Sequence, residues 1–150
     1  MTNNNLFALA KTPILVAAAF VVIRIVLEFA GVTGVIPQIF GVAWLDYLVP
    51  IYLAIKIHDS GAVKPFLTTI KAMFVYAIPA RLMVAISYML AYAMEWSIPR
   101  FQNVIGANAS AFRGFVEIPA TGFAFGMATA LVGAIVVGGA TLLIKQRMGK

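Results

Sequence analysis

Arg24, Glu28, Asp46 and Arg81 each stand inside a long apolar stretch of this 150-residue chain. A charged side chain near a bilayer centre costs about 2.5–3.5 kcal/mol on insertion scales, so such groups pair with one another, face the protein interior or line a polar path. Two kinds of chemistry fit the four residues. Paired with the arginines, the Glu28 and Asp46 carboxylates would only pin the rotation and register of their segments. Along a hydrated path, the same carboxylates would exchange a proton or a cation. Arg24 and Glu28 are also four residues apart, so part of the pairing can be local to one helix.

Other chemistry is scarce. With no Cys and one His, disulfides, iron–sulfur clusters and Cys/His zinc sites are excluded, and we expect neither metal nor cofactor. His58, Asp59 and Ser60 supply the ingredients of a catalytic triad, but neighbours in sequence cannot converge as nucleophile, base and orienter, so a polar turn is the better reading. No H-E-x-x-H, P-loop, G-x-G-x-x-G or G-x-S-x-G pattern occurs, and the expectation is a non-enzymatic protein. Asn108-Ala109-Ser110 matches a glycosylation sequon, a short pattern with a high accidental rate.

The elements that position these residues follow from composition. The chain is 63% hydrophobic and 11% charged, against about 25% charged in soluble domains, and a chain of this size cannot bury that much apolar surface in water. It is expected to be an all-α integral membrane protein. Four stretches reach the ~20 residues needed to span a hydrocarbon core, at approximately 13–31, 38–57, 66–94 and 119–144, and all belong to one four-helix transmembrane domain over 1–150. Thr12 and Pro13 read as an N-cap and first helical residue, and the first span is read as a retained anchor. Gly31 to Gly34 and His58 to Gly61 read as turns, and Pro79 as a kink in the long third span.

Counting about 1.5 Å per residue from Pro13, Pro37 and Pro65 places Arg24 and Asp46 level with each other. The same count places Arg81 near the depth of Glu28. The expected network is therefore Arg24 with Asp46 and Arg81 with Glu28, with exchange of partners allowed. Tyr88, Tyr92 and Glu95 continue the face of Arg81 as a polar stripe.

Residues 95–118 read as a structured extracytoplasmic loop between helices 3 and 4. Its aromatic residues Trp96, Phe101, Phe112 and Phe115, set among Arg100 and Arg113, suit the headgroup level. On the last span, Gly122, Gly126, Ala130, Ala134 and Gly138 recur at every fourth position. Such a seam lets another helix approach closely in lipid. That helix could belong to this chain, to a second copy or to another protein.

Lys11, Lys56, Lys64, Lys145, Arg147 and Lys150 fall on one side of a four-span chain and only Arg100 and Arg113 on the other, so both termini are expected in the cytoplasm. The net charge of +6 is accounted for by this asymmetry and by anionic headgroups; no nucleic acid partner is implied. The expected setting is the cytoplasmic (inner) membrane of a bacterium, with the lipid bilayer and other membrane subunits or further copies as partners. The expected role is a helix-packing accessory or structural subunit of a membrane complex. The alternative is a small oligomeric channel or transporter that uses the four charges.

Overall fold

The computed structural model describes residues 3–148, with side chains from residue 5 onward; Lys150, counted above, lies outside them. The described residues form helices and short connections with no strand. Four helical stretches are long and apolar enough to cross a membrane, Asn5–Phe29, Val35–Asp59, Pro65–Ala93 and Arg113–Met148. The protein is an all-α, membrane-embedded chain.

Helix α1 runs from Asn3 to Phe29 with Pro13 inside it, so the expected start at Thr12–Pro13 is wrong. A proline deletes one backbone donor, and membrane helices tolerate it because the loss is confined to one turn. The far end follows sequence logic. Gly31, at φ 78°, lets its N–H reach Glu28 O while Val32 N–H reaches Leu27 O, at 3.2 and 3.0 Å. These two bonds form a Schellman closure, which requires a left-handed residue at that point.

The second span is broken. Helix α2, Val35–Ile39, stops at Phe40 and Gly41, a single 3₁₀ turn covers Val42–Trp44, and α3 occupies Leu45–Asp59. Helix α4, Pro65–Ala93, is continuous through Pro79, and its 29 residues make about 44 Å of helix.

The stretch 95–118 is only partly loop. A short helix α5, Pro99–Ile105, forms inside it, and the fourth span opens with a π turn at Arg113–Glu117 rather than at Pro119. Pro119 lacks an N–H to give to Phe115 O, which is compatible with a widened turn just before it. Helix α6, Ile118–Gly133, a second π turn at Ala134–Gly138 and α7, Gly139–Met148, complete the span, which passes the expected end at residue 144.

Helix α4 packs against α1, α3 and α6, and α3 also meets α7. The main core holds Leu53, Ile57, Met73 and Tyr76 with the small residues Ala10, Ala17, Ala77, Ala80, Ala130 and Ala134. Small side chains dominate because helices in lipid gain by close contact rather than by leaving water. The seam contributes directly: Gly126, Ala130, Ala134 and Gly138 are buried within the chain, whereas Gly122 is exposed. A second core of Ala91, Ile98, Phe101 and Ile105 closes the pole that carries α5. At the opposite pole Lys145 Nζ lies 3.2 Å from Asp59 Oδ1 and ties α7 to the end of α3.

Candidate functional site

The intramembrane charges form two clusters. In the first, Asp46 lies in the first turn of α3 and is 1% exposed. Arg81 of α4, itself buried, donates through Nη2 to Asp46 Oδ2. The Thr129 hydroxyl of α6 lies 2.8 Å from the same oxygen and 2.9 Å from Gly126 O, and its single proton serves one acceptor at a time. Three helices thus meet at one carboxylate oxygen. Asp46 Oδ1, Arg81 Nε and Tyr76 Oη are buried with no hydrogen-bond partner among the described residues.

Local sequence explains why α6 can come so close. Pro50 has no N–H for the carbonyl of Asp46, four residues earlier. Gly133 packs directly on that carbonyl oxygen, with Pro50 beside it. Two turns earlier, Gly126 makes room for the Arg81 side chain, since a Cβ there would overlap Arg81 Cδ and Nε. Gly138 packs on Thr69 and Pro50. The glycines therefore admit a buried ion pair and a proline between helices.

The second cluster centres on Glu28. Arg24 Nε of the same helix donates to Oε1 at 3.1 Å. Arg100 of α5 grips the carboxylate from the other side, with Nε 2.9 Å from Oε1 and Nη2 2.9 Å from Oε2. Such a two-pronged guanidinium contact is the strong form of this interaction. Arg100 also lies over the Phe101 ring at 4.0 Å and the Tyr88 ring at 5.6 Å. Through Glu28, α5 is clamped to the end of α1.

Of the two pairings allowed above, the structure shows the exchanged one, Arg81 with Asp46 and Arg24 with Glu28, and adds Arg100 to Glu28. The depth count used Pro13 as its datum, but α1 begins well before it. The break at Phe40–Gly41 likewise resets the level of Asp46. Sequence reasoning missed Thr129 and Gly133 and gave Arg100 no partner. Thr129 was detectable as a hydroxyl within an apolar run beside the seam. Nothing in the spacing identifies Gly133, whose role depends on Pro50.

Among the other candidate residues, Trp96 stacks edge-on with Phe29 and Phe101, and Phe115 with Tyr92. Phe101 is buried, and Phe112 alone of the four loop aromatics is largely exposed, at 66%. Tyr92 donates to Ala109 O at 3.1 Å and holds the loop down. His58 Nδ1 is 3.4 Å from Asp59 Oδ1, while Ser60 Oγ donates to Ile57 O at 2.7 Å. That hydroxyl serves its own helix end, and the three residues form a turn. No cluster of three potential metal-ligating side chains occurs among the described residues.

A cavity of about 350 Å³ lies between α1, the Phe40–Ala43 break, α4 and α5, and Arg24, Arg81 and Arg100 all line it. A larger open bowl of about 840 Å³ sits beside Tyr92, Trp96, Phe101 and Asn108 at the same pole. Asp46 borders neither cavity. The chain matches no protein-family model, no curated protein and no solved structure with which it was compared.

Proposed function

We propose that this protein is a non-enzymatic subunit of a membrane assembly in the cytoplasmic membrane of a bacterium, with both termini in the cytoplasm. The observation that supports this reading most strongly is how the intramembrane carboxylates are used. Asp46 and Glu28 each take guanidinium donors from other helices, so both are engaged in holding the bundle. Acid–base catalysis needs a carboxylate free to gain and lose a proton at a reacting atom. A transport path along Asp46 needs a hydrated cavity beside it, and the cavities described above do not reach it.

The seam serves this chain's own packing, so contacts with a neighbour fall to the apolar outer faces and to the pole that exposes Phe112. Cross-linking in native membranes, purification and mass spectrometry test the reading. A partner recovered in fixed ratio is the expected result. Recovery of the chain alone or only as a homo-oligomer would overturn it and favour the second reading, a small channel or transporter. The arginine-lined cavity is the observation behind that alternative, and solute flux through vesicles containing only this chain is its signature.

A further inference from the structure

The geometry points to a binding site for a phosphate group in the cavity lined by Arg24, Arg81 and Arg100. Three arginines line this space, and the carboxylates paired with them are two, Glu28 and Asp46. One positive charge is left over in surroundings where an uncompensated ion is costly and a counter-ion is strongly favoured. Part of the donor set is also uncommitted. Glu28 takes Arg24 Nε and Arg100 Nε and Nη2, and Asp46 takes Arg81 Nη2. Both Nη groups of Arg24, and the Nη1 groups of Arg81 and Arg100, have no acceptor among the described residues.

Guanidinium forks match the oxygens of a phosphate better than a spherical halide, because each planar group offers parallel N–H donors. The surroundings hold the forks ready. Arg100 is braced by Glu28 and by the Phe101 and Tyr88 rings. At Gly41 a Cβ would lie 3.3 Å from Arg24 Nη1, so the missing side chain lets that guanidinium rest against the Phe40–Ala43 break. Ser87 and Val84 complete the wall from α4. The phosphate comes either from a lipid headgroup or from a free anion in solution. The site stands independently of the subunit reading, since it follows from the charge balance and open donors of the chain itself.

The test uses the full chain, delipidated in a neutral detergent. In one arm, thermal unfolding is followed against inorganic phosphate, with sodium chloride at matched ionic strength as the reference. In the other, retention of phosphatidylglycerol is measured by native mass spectrometry. Saturable stabilisation by phosphate above chloride supports the site with a free anion. Retention of phosphatidylglycerol without a phosphate response supports it with a headgroup. Arg24→Gln is expected to weaken either response about tenfold or more. Ser87→Met fills the cavity without changing charge and is expected to abolish the response, while Lys71→Gln, an exposed charge on α4 that does not line the cavity, leaves it intact. No response in either arm from wild type overturns the proposal. Responses in Arg24→Gln and Ser87→Met equal to wild type also overturn it.

Discussion

Replacing Asp46 by Asn isolates the electrostatic part of the buried cluster. Asparagine has nearly the same volume and can still accept from Thr129, so packing and that hydrogen bond are retained. What disappears is the charge opposite Arg81, a side chain only 9% exposed. Leaving one member of a buried ion pair uncompensated costs about 3–5 kcal/mol. For a chain near 150 residues, each kcal/mol lowers the midpoint by about 2–4 °C, which makes the expected drop about 6–20 °C. Unfolding in mixed micelles, followed through Trp44 and Trp96 fluorescence, would measure it. The double variant Asp46→Leu with Arg81→Met removes both charges and keeps an unbranched chain against Gly126. Replacing both members of a buried pair by apolar groups is often neutral or stabilising, so most of the lost stability should return. A loss below about 1 kcal/mol in Asp46→Asn would refute the reasoning, because that is the size of a solvent-screened pair. A double variant no better than the single would refute it equally.

Two further outcomes follow from the packing and the charge distribution. Gly133→Ala places a methyl into the Asp46 carbonyl and is expected to cost about 1–3 kcal/mol in the same assay, whereas Gly122→Ala, with nothing within 4 Å of the added carbon, is expected to leave stability unchanged; equal effects would contradict the close approach of α6 to α3. For orientation, the absence of Cys makes single-cysteine labelling clean. Asn108→Cys is expected to react with an impermeant maleimide on intact cells, and Val63→Cys, at a position 95% exposed, only after permeabilisation. The reverse pattern would place the termini outside.

The spans are legible because a hydrophobic core of fixed thickness imposes a one-dimensional length rule, and Gly31 and Gly61 punctuate it with positive φ. The pairing of charges is not one-dimensional. Arg24 and Asp46 come out level when counted from prolines, yet Pro13 lies inside α1, and which guanidinium meets which carboxylate depends on helix rotation and on Arg81 crossing to α3. Glu28 shows the same limit from the other direction: its i, i+4 partner Arg24 is visible in the sequence, but Arg100 arrives from a segment whose fold depends on Phe101 and Trp96 packing at the pole. Thr129 and Gly133 matter only because Pro50 and Asp46 stand opposite them.

The π turn at Ala134–Gly138 bears on how this helix tolerates changes in length. A stripe repeating every fourth residue drifts by about 40° per step on a regular α-helix, so five members would spiral away from a straight neighbour. Widening one turn to i→i+5 bonds returns Gly138 to the side of Ala134, where Pro50 and Thr69 await it. The turn accommodates one residue more than an α-helical path requires. Deleting one residue from 134 to 138 would let the turn relax to α-helix and leave the buried Leu142, and Lys145 opposite Asp59, on their present faces, whereas a deletion in the α-helical part of α6 would swing them through about 100°. The last helix can thus lose one residue at this turn and keep its contacts, but not one in the regular turns before it.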